Sequence, residues 1–281
     1  KVAAKAAELY ALDDEARRNY DAVLATNGVL FGGTRAYGYR ADLRAVYQYY
    51  CRNHPAPDEP QYPVWQGLPA AATLTRADLR QRVDACTGLG LAPAARTPAQ
   101  AARLRDILGV TGLAESQLFS NLSWATFLFQ DLVQRRLDGR NPFDNHATVY
   151  QGSHDDAALN AGIERFSADP DALAKLAYDA DLSGLIVVPM LTVHARHDPV
   201  VSYRADAAYG AIVAAAGRGH LLAQVLTHED DHSRLQDEAY LGALAALEAW
   251  LDRGQRPRPA ALQQACLARA GAATRCRFIS P

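Results

Sequence analysis

The sequence predicts an α/β protein: a parallel sheet whose strands are separated by a large helical insertion. Three observations carry this. Residues 185–195, LIVVPMLTVHA, are apolar and rich in β-branched side chains. The run is short for a core helix and fits a strand buried on both faces. From there strand, helix, strand and helix alternate as far as Gly254, an order that gives parallel strands joined by right-handed crossovers. Residues 32–181, by contrast, carry little strand signal and several helical stretches.

The elements follow in chain order. Val2, Ala6, Leu9 and Tyr10 recur at i, i+4, i+7 and i+8, the apolar stripe of an amphipathic helix. No capping residue precedes it, so the expectation is a chain whose own beginning lies further upstream. In YDAVLATNGVLFGG, residues 22–25 and 29–31 read as a buried strand region, with turn residues at Asn27–Gly28 and Gly32–Gly33. The stretch CRNHPAPDEPQYPVWQGLP holds five prolines and no period, so it reads as a loop. Helices are expected at 76–86, 98–108, 117–137 and 170–180; Asp169 before Pro170 supplies an N-cap and a proline in the first turn. After the strand at 185–195, a small-residue helix covers 203–217 and ends at Gly217 and Gly219. A second strand covers 220–228. A helix at 233–253 carries Tyr240, Leu244, Leu247 and Leu251 at i, i+4, i+7 and i+11, and Gly254 stops it. The sequence RPRP at 256–259 reads as a stiff, exposed linker into a C-terminal tail. The expected organisation is therefore core 1–31, helical insertion 32–181, core 182–254 and tail 255–281.

Composition excludes several classes. Apolar residues make up 49% and charged residues 21% of the 281, as in ordinary soluble domains. A formal net charge of −2 gives no global field to recruit nucleic acid or anionic membrane. The longest apolar runs, 184–195 and 241–251, fall short of the roughly 18 residues of a membrane span, and Glu248 interrupts the second. The four cysteines form a distant pair, Cys51 and Cys86, and a close pair, Cys266 and Cys276. Two readings fit: two disulfides in an exported protein, or four free thiols in a cytosolic one. The first is preferred, because a bridge from Cys266 to Cys276 would tie down the tail. No CxxC occurs and no Cys/His cluster has zinc spacing.

Functional groups in open parallel sheets gather beyond the carboxyl ends of the strands. The strand at 185–195 delivers Asp198, and the next one delivers His232 through THEDDHSRL. A carboxylate and an imidazole one strand–helix–strand unit apart suit one task. The acid fixes the tautomer of the ring, and the ring's other nitrogen takes a proton from a nucleophile. His228 is a rival for the base. Asp206, inside the following helix, is a weaker rival for the acid. His194, His197 and Asp198 together suggest a metal set, but their spacing on a strand end is expected to point the side chains apart, so no metal or other cofactor is expected.

The stretch VPMLTVHARHDPVV resembles the penultimate strand and acid loop of the α/β-hydrolase superfamily, with Ala195 where that pattern has Gly. DDHSRL resembles its histidine loop, with Asp231 where Gly is frequent, and the helix at 233–253 resembles its closing helix. About 110 residues of core are covered. The resemblance implies a parallel-sheet α/β-hydrolase core, represented by its C-terminal strands and helices, with residues 32–181 as a large helical cap. The cap bears a loose similarity to that of secreted bacterial esterase-like hydrolases. It implies a catalytic Asp198 and His232, a small-molecule ester substrate, hydrolysis through an acyl-enzyme, and a secreted or periplasmic location. No G-x-S-x-G is present; Ser116, Ser120, Ser123, Ser153, Ser167, Ser183, Ser202, Ser233 and Ser280 all lack the flanking glycines of a nucleophile elbow. The resemblance places that serine just before the opening helix, so the chain alone is expected to lack activity without the N-terminal half of the fold.

Trp124 and Phe127, with Trp65 and Phe129, are candidates to line an apolar acyl pocket, although forming the core of the insertion is the preferred reading for each of them. Asp155 and Asp156 read as a helix N-cap or as calcium ligands. With Glu164 they would also provide the acidic groups that an aminopeptidase-like reading needs. A third reading is a non-catalytic binding protein of the same fold.

Overall fold

A sheet forms where strand and helix alternate in the sequence, and a helical bundle forms where they do not. The computed structural model describes residues 1–232, 234–270 and 276–281. In chain order, α1 (Val2–Leu9) and β1 (Val23–Thr26) are followed by the helices α2 (Gly33–Cys51), α3 (Arg76–Thr87), α4 (Pro98–Thr111), α5 (Glu115–Ser123), α6 (Phe129–Asp131), α7 (Asp156–Gly162) and α8 (Pro170–Ala180). Then come β2 (Met190–Ala195), α9 (Arg204–Ala215), β3 (Leu222–Thr227), α10 (Asp237–Arg253), α11 (Pro259–Ala270) and β4 (Phe278–Ile279). The chain divides into two units, Lys1–Gly32 with Asp181–Pro281, and Gly33–Ala180.

The first unit holds the sheet, in the order β1-β2-β3-β4. β1, β2 and β3 are parallel, with Val23 opposite Met190 and Met190 opposite Leu222. β4 joins β3 antiparallel, an edge the sequence reading did not include. Every residue of β2 is buried, as its continuous apolar run requires of a central strand. The strand is shorter than the expected 185–195. Pro189 lacks an N–H and cannot continue a ladder as donor; its carbonyl instead accepts from Val23 N at 2.9 Å. Ile186 and Val188 are buried without being strand. Residues 29–31 likewise leave the sheet, because Asn27 adopts φ 48 and turns the chain away.

Two amphipathic faces differ from those expected. On α1 the buried residues are Ala4 and Ala7, while Val2, Leu9 and Tyr10 are exposed. On α10 the buried residues are Ala239, Gly242, Ala243, Ala246 and Leu247, with Leu241, Leu244 and Leu251 exposed. Close approach is the reason. A Cβ on Gly242 would stand 2.9 Å from Cys266 Cβ, so α11 seats on the small-residue face of α10. The tail is thus part of the packed unit: Leu262, Cys266, Cys276 and Phe278 share a cluster with Leu191, Val225 and Ala243. The RPRP segment is not a free linker either. Pro257 is buried, and Arg256 donates to the carbonyls of Gly219 (3.1 Å) and Leu222. The predicted start of the closing helix at Ser233 lies outside the described residues; the helix itself begins at Asp237.

The second unit is helical. Thr75 and Thr97 cap α3 and α4 with reciprocal bonds to Asp78 and Gln100, each cap stabilising by roughly 1 kcal/mol. Asp169 Oδ1 accepts from Ala172 N at 2.8 Å at the start of α8. The expected helix at 117–137 is realised as α5 and α6 alternating with π-helical turns, Trp124–Leu128 and Leu132–Arg136. The proline-rich loop is pinned rather than loose: Arg82 Nη1 bonds Glu59 Oε2 at 2.7 Å, and Asn53 Nδ2 donates to Arg82 O at 2.8 Å. Helix α2, which the sequence reading did not identify, runs through the core with Leu43, Val46 and Tyr47 buried.

Disulfides join Cys51 to Cys86 and Cys266 to Cys276, so the thiol reading is set aside. Two disulfides fit an oxidising compartment. Among the described residues, no helix is long and apolar enough to cross a membrane.

Candidate active site

The carboxyl ends of β1, β2 and β3 each contribute one element to a polar cluster. At the end of β2 the chain turns so that Asp198 Oδ1 accepts from Val200 N (2.7 Å) and Val201 N (2.8 Å). This local turn is a habit of Asp in loops, and it fixes the carboxylate with its side chain fully buried. Asp198 Oδ2 lies 2.8 Å from His232 Nδ1, in the loop after β3. An ionised carboxylate can only accept, so Nδ1 carries the hydrogen and Nε2 is left as the basic nitrogen. The His232 side chain is 31% exposed, and among the described residues no hydroxyl or thiol is hydrogen-bonded to Nε2. Burial pushes the Asp198 carboxyl up, but hydrogen bonds from His194 and His232 and from the two backbone amides outweigh it, and it is lowered to about 2. It is therefore a carboxylate at neutral pH.

Two further residues hold this pair. Asn27, at the end of β1, accepts from Ala195 N at 2.7 Å through Oδ1. Its Nδ2 donates to the carbonyl of His232 and reaches Asp231 O at 3.4 Å. One buried side chain thus locks the ends of β1 and β2 to the histidine loop. Glu229 Oε2 accepts from Gln236 N at 3.1 Å, tying the beginning of that loop to its exit. Asn27 was legible only as a turn residue, and no local signal separates a turn Asn from a latch.

Behind Asp198 stands His194, fully buried. Its Nδ1 is 2.6 Å from Asp206 Oδ2, and its Nε2 is 3.1 Å from Val201 O and 3.3 Å from Asp198 Oδ2. The expectation that His194 and Asp198 point apart is overturned: the turn after β2 folds Asp198 back under the strand end. Burial pushes the His194 ring down, yet bonds to Asp198 and Asp206 prevail and raise it to about 9. Asp206, set aside from sequence as a helix residue, lies in the first turn of α9 and is buried.

The remaining candidates fall elsewhere. His197 and His228 are exposed, and His228 makes a backbone bond to Arg277 O. Among the described residues no His/Cys/Asp/Glu group is arranged to hold a metal. Asp155 Oδ1 caps α7 by accepting from Ala158 N, and Asp156 accepts from Gly152 N and Ser153 N, so both are engaged in a local turn. Glu164 accepts from Val64 N at 3.1 Å, and burial raises its carboxyl. Trp124 and Phe127 lie in a π-helical turn of the helical unit. Trp124 is 37% exposed with Arg40 stacked over its ring at 4.7 Å, and Phe127 packs on the core.

No protein-family model, no curated protein and no solved structure compared with this chain matches it.

Proposed function

We propose that this chain carries the acid and the base of a serine hydrolase of α/β-hydrolase type, acting on carboxylic esters through an acyl-enzyme. One observation carries the reading: at the carboxyl ends of parallel strands, a buried Asp198 holds Nδ1 of His232 at 2.8 Å while the ring remains partly exposed. Asp198 fixes the tautomer and stabilises the imidazolium; Nε2 accepts the proton of an attacking hydroxyl and returns it to the leaving alcohol. A water activated by the same nitrogen then resolves the acyl-enzyme.

The hydroxyl this reading requires belongs to a serine preceding α1, outside Lys1–Pro281. In support, the amino end of α1, at Lys1, lies within electrostatic reach of Asp206, a residue of the carboxylate–imidazole cluster. The two disulfides suit a secreted or periplasmic hydrolase.

The test is to express the gene with its upstream codons and assay an acyl p-nitrophenyl ester against an aminoacyl p-nitroanilide, with fluorophosphonate labelling in parallel. Ester turnover with covalent labelling is expected, and His232→Ala should lower kcat/KM by roughly a thousandfold or more. Near-normal turnover in that variant, or a protein that neither labels nor hydrolyses, rejects the proposal. Preference for the anilide would make it a peptidase of the same fold.

A further inference from the structure

We propose that His194 is a buried imidazolium acting as a positioning residue, the middle of a chain Asp206–His194–Asp198–His232 that fixes the orientation and charge of the acid behind the base. The role assigned to His232 rests on the hydrolase reading above; the protonation of His194 does not.

The inference follows from donor and acceptor bookkeeping at the two ring nitrogens. Nε2 faces the carbonyl oxygen of Val201 at 3.1 Å and a carboxylate oxygen of Asp198 at 3.3 Å. A carbonyl only accepts, so Nε2 carries a hydrogen. Nδ1 faces a carboxylate oxygen of Asp206 at 2.6 Å; two lone pairs at that distance would repel, so a second hydrogen lies between them, and the imidazole, a stronger base than a carboxylate, holds it. A fully buried ring with a proton on each nitrogen is cationic, and it stands between two buried carboxylates. The groups facing it are few. Asp198 comes from the turn after β2 and Asp206 from α9. His232 reaches it only through Asp198, and the amino end of α1 lies near Asp206. Gln224 on β3 contributes a neutral contact, its amide donating to Asp206 O at 2.7 Å.

The arrangement has a consequence for the acid. Asp198 Oδ1 is held by two backbone amides and Oδ2 by two imidazoles. The carboxylate cannot rotate away from His232 without breaking bonds on both oxygens. The positive ring behind it also tempers its pull on the His232 proton. The raised affinity of His194 for its second proton, which its bonds to Asp198 and Asp206 lift to about 9, agrees with this geometry.

The experiment uses nitrogen-15 NMR of the histidine rings in the 281-residue chain, with Asp206→Asn as the near-isosteric variant. At pH 7 both nitrogens of His194 should be protonated. In Asp206→Asn, its titration midpoint should fall by roughly one pH unit or more, and the His232 Nδ1–H resonance should move. A His194 with a single ring proton at pH 7 overturns the proposal, as does an unchanged His232 resonance in a folded Asp206→Asn chain; neither result depends on hydrolysis. In the upstream-extended protein, the same variant should shift the acid limb of the kcat/KM profile upward by roughly one pH unit and leave KM within twofold. A purely structural role would lower activity without moving the limb. If His194 is cationic but no hydrolysis is found, the hydrolase reading fails and the buried imidazolium stands.

Discussion

Among the described residues two histidines, His54 and His194, are fully buried, and they are built to hold opposite protonation states. His194, in the sheet unit, faces a carboxylate on one nitrogen and a carbonyl with a second carboxylate on the other. His54, in the helical unit, donates from Nε2 to Thr126 Oγ1 at 3.0 Å, since that hydroxyl's own hydrogen goes to Leu122 O at 2.8 Å. Its Nδ1 faces the hydroxyl of Tyr62 at 3.4 Å, a group able to donate. One proton satisfies His54, whereas two are needed at His194. Burial, with Arg44 and Arg82 nearby, pushes His54 far below the usual range, and two aspartates push His194 above it. The buried charges differ only in part. In the sheet unit Asp206, His194 and Asp198 form a line ending at the partly exposed ring of His232, and in the helical unit a buried Asp106 likewise holds Nδ1 of the exposed His154 at 2.6 Å. In the helical unit, Arg44 is completely buried; it donates to the carbonyl of His54 and forms no ion pair among the described residues.

The comparison can be broken in several ways. The largest effect tests how each unit is secured. Replacing Cys51 and Cys86 by Ser opens a 35-residue separation, and Cys266 with Cys276 a 10-residue one. Loop-closure entropy then predicts losses of roughly 4 and roughly 3 kcal/mol, measurable by denaturant unfolding. An equal or reversed order would show that strain or packing, not loop length, dominates.

The histidines should give opposite pH slopes. His194 is raised to about 9 from an ordinary 6.5, so its contribution is complete below pH 6.5 and is lost as pH rises through 9, by up to about 3 kcal/mol. His54 is lowered, so the unfolded chain takes up a proton that the folded one refuses, and stability falls below pH 6.5 by about 1.4 kcal/mol per pH unit. Melting temperature against pH should therefore decline on both sides. His194→Gln should flatten the alkaline limb and His54→Gln the acid limb. Exchange of these effects between the two variants would refute the protonation states assigned above.

Smaller substitutions sharpen the packing side. Ala243→Leu, on the buried face of α10, should cost about 1–3 kcal/mol by overpacking. Leu244→Ala, one residue on and 45% exposed, should stay within about 0.5 kcal/mol. Thermal melts of the two variants read this directly.

Legibility in the sequence followed the physics of each feature. β2 was readable because a strand buried on both faces must be apolar throughout. α8 was readable because Asp169 and Pro170 announce its first turn. The stripes on α1 and α10 misled, because periodicity reports where large apolar side chains lie and not which face is approached closely. There alanines and Gly242 admit the neighbours, and Leu9 of α1 and Leu241, Leu244 and Leu251 of α10 stay outside. α2 escaped because its buried face includes Arg40 and Arg44, residues a hydropathy pattern scores as exposed.

The sequence by itself determined the alternation that makes the sheet parallel, and hence that Asp198 and His232 would leave neighbouring strands at the same end. It also determined the even cysteine set, paired near and far. Only the tertiary structure decided what surrounds the acid. Asp206 lies eight positions beyond Asp198, and Asn27 well over a hundred before it. Neither carries a local mark of partnership, because hydrogen bonds between side chains depend on how elements pack and not on their order along the chain.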